Sequence, residues 1–118
     1  MTRALYRGSR EVSELIPVTD TLTSRHVGRI VALSASGMQI ACSPDGPETL
    51  RNGALYQLTF ALPGDLGGAH AECGIEVMSV EDVPGRDIKL VRVRFILIDP
   101  KVTARIGQWC AAANPGYA

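Results

Sequence analysis

The chain has 118 residues, enough for one domain and too few for two. Hydrophobic residues make up 46% and charged residues 20%, a balance that excludes a largely disordered chain. Twelve basic side chains offset twelve acidic ones, so no global charge draws the protein to a nucleic acid polymer or a membrane surface.

The first 24 residues show no sustained apolar period and read as an irregular arm, with a short turn near 11–16 and Pro17 barring a long helix. Arg3, Arg7, Arg10, Arg25 and Arg29 crowd the first 29 residues, opposed there only by Glu11, Glu14 and Asp20. Guanidinium groups suit planar, bidentate contact with phosphate or a guanine edge. The first ten residues, lacking an apolar face with which to dock, are expected to be mobile without a ligand. No stretch has the apolar length of a signal peptide or of a membrane span. Cys42, Cys73 and Cys110 are odd in number and lie in apolar runs, which argues against a disulfide framework and for a reducing, cytoplasmic setting.

Strands follow at short, regular intervals. A β-branched run over 27–32 closes in Ser34-Ala35-Ser36-Gly37, and Met38, Ile40 and Cys42 alternate with polar or small residues in a second run. Tyr56, Leu58, Phe60 and Leu62 form the inner face of a third, stopped by Pro63-Gly64-Asp65. Ala71, Cys73, Ile75 and Val77 do the same in a fourth, and Val91, Val93, Phe95 and Leu97 in a fifth. Five or six antiparallel strands must close to hide their edges, so an all-β, small antiparallel barrel is expected. At Asp99 the period changes to that of a helix, with Pro100 at its first position and Val102, Ile106, Trp109, Cys110 and Ala113 along one stripe. The domain is thus read as an arm over 1–24 and a barrel with its C-terminal helix over 25–114.

Catalytic and metal chemistry find no support in spacing. His26, His70 and the three cysteines form no ligand cluster, and no Ser or Cys has the surroundings of an activated nucleophile. Glu72 and Glu76 read as solvated strand residues, and Arg92 and Arg94 as their cross-strand partners. Aromatic side chains are too few for a base-stacking platform along a nucleic acid strand. Neither an enzyme nor a cofactor-dependent protein is expected.

Two motifs remain. Arg3-Ala4-Leu5-Tyr6-Arg7 has the form R-x-x-x-R, and Ala32-Leu33-Ser34-Ala35-Ser36-Gly37 has the form of [DN]-x-S-x-x-G with Ala32 at the acidic or amide position. With the strand order and terminal helix, the chain resembles the PilZ domain family, whose members are commonly receptors for cyclic di-GMP. The stretches Leu50-Arg51-Asn52-Gly53 and Leu58-Thr59-Phe60-Ala61-Leu62-Pro63 are similar to the family's middle hairpin. Val91-Arg92-Val93-Arg94-Phe95 is similar to its closing strand, with Arg92 where a glycine is usual.

The resemblance implies a six-stranded split barrel with one C-terminal helix. It also implies a ligand site built from Arg3, Arg7, Ser34 and Gly37, and an adaptor that passes ligand state to a signalling, motility or secretion protein. The rival it allows is a PilZ-fold interaction module that has lost the nucleotide. Ala32 and Arg92 favour the rival, and Arg3, Arg7, Ser34 and Gly37 favour the receptor.

Overall fold

The computed structural model describes residues 8–43 and 50–113. Seven strands and one long helix follow in chain order: β1 (Arg10–Glu11), β2 (Pro17–Asp20), β3 (His26–Leu33), β4 (Gly37–Cys42), β5 (Leu55–Ala61), β6 (His70–Asp82), β7 (Lys89–Ile98) and α1 (Pro100–Ala113). Every strand pairing is antiparallel. β2 pairs with β3 and β5, β5 with β6, β6 with β7, β7 with β4, and β4 again with β3. Strands β2 to β7 therefore close into the expected six-stranded barrel, which leaves no open edge around the ring. β1 lies outside the ring, against the last two residues of β3.

The core is the inner face of that ring. Val18, Ile30, Met38, Ile40, Leu58, Phe60, Ile75, Val77, Val91 and Val93 are all fully buried there. Their two-residue spacing is what the pleat of a half-buried strand demands. At Gly28 a methyl group would collide with the Ala41 carbonyl oxygen of the neighbouring strand. Backbone, not a flexible side chain, must then move. Gly28→Ala is accordingly expected to cost about 3 kcal/mol, read from urea unfolding against the wild type.

The structure differs from the sequence pattern in three places. The irregular arm expected to residue 24 contains β1 and β2, and β2 is a full member of the barrel. Ile16, Val18 and Asp20 alternate inward, but the strand itself is only four residues long and begins at Pro17, which obscures the pattern. The buried Asp20 carboxylate accepts from the amides of Leu22 and Thr23 at 2.8 and 3.3 Å, which shapes the tight return into β3.

Leu97 was expected inside, yet it is 67% exposed. The register pairs Ile75 with Phe95 but Gly74 with Leu97, so Ile96 is an extra residue that turns the end of β7 over. Leu97 instead joins the exposed Leu22 and Leu55 along a surface cleft floored by Gly74. The helix stripe is shorter than expected, because Ile106, Trp109 and Cys110 are buried and Val102 packs at the margin while Ala113 is exposed.

Candidate functional site

The turn over 34–37 is built from its own serine. Ser34 is 1% exposed, and its hydroxyl oxygen accepts from the amides of Ser36 and Gly37 at 3.2 and 3.1 Å. The same hydroxyl lies 3.2 Å from the Gly37 carbonyl and 3.1 Å from the Ser36 hydroxyl, while the Ser34 amide donates to Gly37 at 2.9 Å. Ser34 thus holds the turn rigid from within, and Ala35 and Ser36 form its exposed rim. The Ser36 carbonyl accepts from the Phe95 amide at 2.9 Å, so β7 carries the turn from below.

Three further elements meet there. β1 pairs Arg10 with Leu33 and Glu11 with Ala32, which brings the chain leading out of the N-terminal segment to the residue just before Ser34. The helix reaches the turn from the other side. Gly107 faces Ala35, and the Cys110 thiol donates to the Leu33 carbonyl at 3.2 Å. Arg10 then joins β1 to the helix, with its guanidinium over the Trp109 ring at 4.1 Å and Nη1 donating to the Trp109 carbonyl at 2.9 Å.

Of the residues singled out in the sequence, Ser34 and Gly37 lie in this turn, and Arg3 and Arg7 lie outside the described residues. Arg25 precedes β3 and Arg29 lies in its first half, away from the turn. Arg29 is five residues from Ser34, about 16 Å along a strand, which separates it from the turn. It lines an apolar cleft of about 440 Å³ with Leu15, Pro17, Val27 and Ile88, none of them turn residues. Arg94 Nε donates to Glu76 at 2.7 Å across the strands, as the alternation of charges suggested. Arg92 does not share that arrangement. A register shift between Val77 and Ser79 sets it opposite Ser79 on one side and Gln39 on the other.

That register links the two departures from the family pattern. Glu11, Ala32, Gln39 and Arg92 stand opposite one another across β1, β3, β4 and β7 in a single row. Ala32 is 0% exposed and Gln39 is nearly as enclosed. The missing carboxylate and the added guanidinium are therefore neighbours once removed on one strip of the barrel. Only the strand register shows it.

Nucleophilic and metal chemistry have little to work with among the described residues. Burial pushes the Cys42 thiol up to about 11 and the Cys73 thiol up to about 12. Burial also raises the Cys110 thiol, against the opposing pull of the Arg10 charge. Such thiols are protonated near neutral pH and make poor nucleophiles. Among the described residues, no group of three or more His, Cys, Asp or Glu is placed to hold a metal ion. No described helix is long and apolar enough to cross a membrane.

The sequence matches the family model for the PilZ domain over residues 3–112, nearly its whole length. The chain belongs to the PilZ domain family. Solved structures share the fold at low identity. The Bacillus subtilis inhibitor of motility (MotI/DgrA) is similar with a TM-score of 0.75 and 14% identity, over 98% of this chain and 53% of that one. The Escherichia coli YcgR PilZ domain with c-di-GMP gives 0.60 and 15%, over 87% of this chain and 83% of that one. The Borreliella burgdorferi PlzA protein in complex with c-di-GMP gives 0.57 and 13%, over 88% and 46%. This PilZ domain thus spans about half the length of the B. subtilis and B. burgdorferi chains. No curated protein matches it significantly in sequence.

Proposed function

We propose that this PilZ domain is a cyclic di-GMP receptor of the adaptor kind, in which Arg3 and Arg7 close over a nucleotide lying against the 34–37 turn. The pairing of Arg10 with Leu33 carries this reading. Arg7 is three residues upstream of Arg10, so chain connectivity alone keeps its Cα within about 11 Å of the Arg10 Cα. That tether permits an arginine side chain to reach the turn. The two similar PilZ structures that hold c-di-GMP support the choice of ligand.

The chemistry follows from the ligand's parts. Its phosphates take charge-assisted, bidentate pairs from Arg3 and Arg7, and an arginine plane stacks on a guanine face. Ser34 fixes the turn against which the arm closes, and Gly37 continues it into β4 without a side chain in the way. Ordering of the arm changes the surface of the domain, and a signalling, motility or secretion protein in the cytoplasm reads that change. The adaptor performs no catalysis and needs no cofactor.

One observation favours the rival reading, a PilZ-fold interaction module without nucleotide. Ala32 removes an acceptor for guanine N–H groups, and Arg92 adds bulk in the same row. The exposed Leu22, Leu55 and Leu97 would suit a protein contact in either reading. Calorimetric titration with cyclic di-GMP, with GTP as control, separates the two. Saturable heat with cyclic di-GMP alone is the receptor's result.

A further inference from the structure

We infer that the outer face of β5, β6 and β7 is the contact surface of a two-fold dimer of this chain. The surface is formed whether or not a nucleotide binds. A regular strand turns only one of two successive residues outward, but the bulge in β7 leaves both Ile96 and Leu97 exposed, at 45% and 67%. Leu55 on β5 and Leu22 in the turn after β2 project beside them, at 65% and 81%. Gly74 on β6 carries no side chain between them, so a groove runs along that strand with leucines on both walls. Two clefts of about 240 and 360 Å³ share Gln57, Gly74 and Leu97, which makes the groove continuous.

Area and charge favour a second copy as the occupant. The four protruding side chains expose about 450 Å² of apolar surface, as much as the largest patch on an ordinary monomer. With Gln57, Glu72, Glu76 and Arg94 around them, the face approaches the roughly 800 Å² per partner of a standard interface. The two ends of the groove differ in charge. Glu72 and Asp99 line one end. Four residues further along β6, about 13 Å away, stands the Glu76–Arg94 pair, in which Arg94 is the more exposed member at 54% against 29%. The exposed Arg51, whose amide donates to the Tyr56 hydroxyl, adds a second cation at that end. A two-fold axis through Gly74 lays Arg94 of one protomer over Glu72 of the partner subunit, and does so twice. The same axis sets the leucines of each protomer against the groove of the other. A partner of a single charge sign would satisfy only one end.

The test is sedimentation velocity on the full chain, from low micromolar to near-millimolar concentration, for wild type, Leu97→Asp, Glu72→Arg, Arg94→Glu and the double charge reversal. Wild type is expected to pass from monomer to dimer over that range, as an interface of modest area implies. Leu97→Asp should remain monomeric throughout, since association would bury an ionised carboxylate. Each single reversal should weaken association about tenfold, because like charges then meet at both ends. The double reversal restores opposite charges across the interface and should recover most of that loss. Urea unfolding shows whether each variant folds. If Leu97→Asp does not, Leu22→Asp in its exposed turn replaces it.

A wild type that stays monomeric at near-millimolar concentration would overturn the inference and leave the face to a different protein. Dimers that persist in Leu97→Asp would overturn it too, by placing the interface elsewhere. A double reversal no stronger than the single ones would contradict the two-fold pairing of Arg94 with Glu72. Recovery in the double reversal, with Leu97→Asp monomeric, is the result that this arrangement requires.

Discussion

Trp109→Ala is expected to lower the stability of this domain by about 3–5 kcal/mol, the range for removing a large aromatic from a core. Trp109 is only 8% exposed and packs in one cluster with Ile106, Cys110 and Leu33. Its ring also carries the Arg10 guanidinium, and its indole N–H is held by Asp65. Truncation therefore leaves a cavity between helix and barrel and strands two polar partners at its edge. For a domain of this size, each kcal/mol lowers the melting temperature by about 4–8 °C, so the shift is large. Far-UV circular dichroism is the probe to use, since Trp109 is the one tryptophan in the chain. A loss under about 1 kcal/mol, typical of a surface site, would mean that the helix contributes little to the barrel.

Arg7→Ala should weaken cyclic di-GMP binding by about 10- to 100-fold, since a charge-assisted pair to phosphate is among the stronger single contacts. Position 32 is the complementary experiment. In the simplest view, Ala32→Asp restores the family's acceptor and strengthens binding. The enclosure of Ala32 changes the design, because a carboxylate there loses its hydration before any ligand arrives. Ala32→Asn supplies the acceptor without the charge and also fits the family pattern. It is expected to tighten binding by about 5- to 100-fold where its oxygen reaches a guanine N–H. Arg7→Ala should flatten the dependence of affinity on salt, and Ala32→Asn should leave it as it is.

Much of this was legible because each barrel strand repeats a simple rule. Over 37–42, 55–61 and 70–77, where apolar residues alternate for five or more positions, the strand formed and the alternating apolar side went in. The change of period at Asp99 marked the helix for the same reason. β2 escaped because four residues beginning at a proline are too few to show a period. Leu97 escaped because one extra residue at Ile96 reverses every later side chain, and nothing local announces a bulge.

The site was legible only where its residues are close in sequence. Ser34 and Gly37 lie three apart and build a turn that their types suggest. Arg10 and Trp109 are 99 residues apart, so only closure of the barrel reveals their contact. The row joining Ala32 to Arg92 is likewise invisible without strand register, which turns two separate departures from a pattern into one altered strip.

In the proposed complex, cyclic di-GMP lies between the N-terminal arginines and the 34–37 turn. Titration of the wild-type chain with cyclic di-GMP in a calorimeter, with GTP as control, decides whether it forms. Saturable binding of cyclic di-GMP, lost or strongly weakened in Arg7→Ala and absent with GTP, is expected. No heat at millimolar cyclic di-GMP, with none restored by Ala32→Asn, would contradict it and leave the barrel as an interaction module.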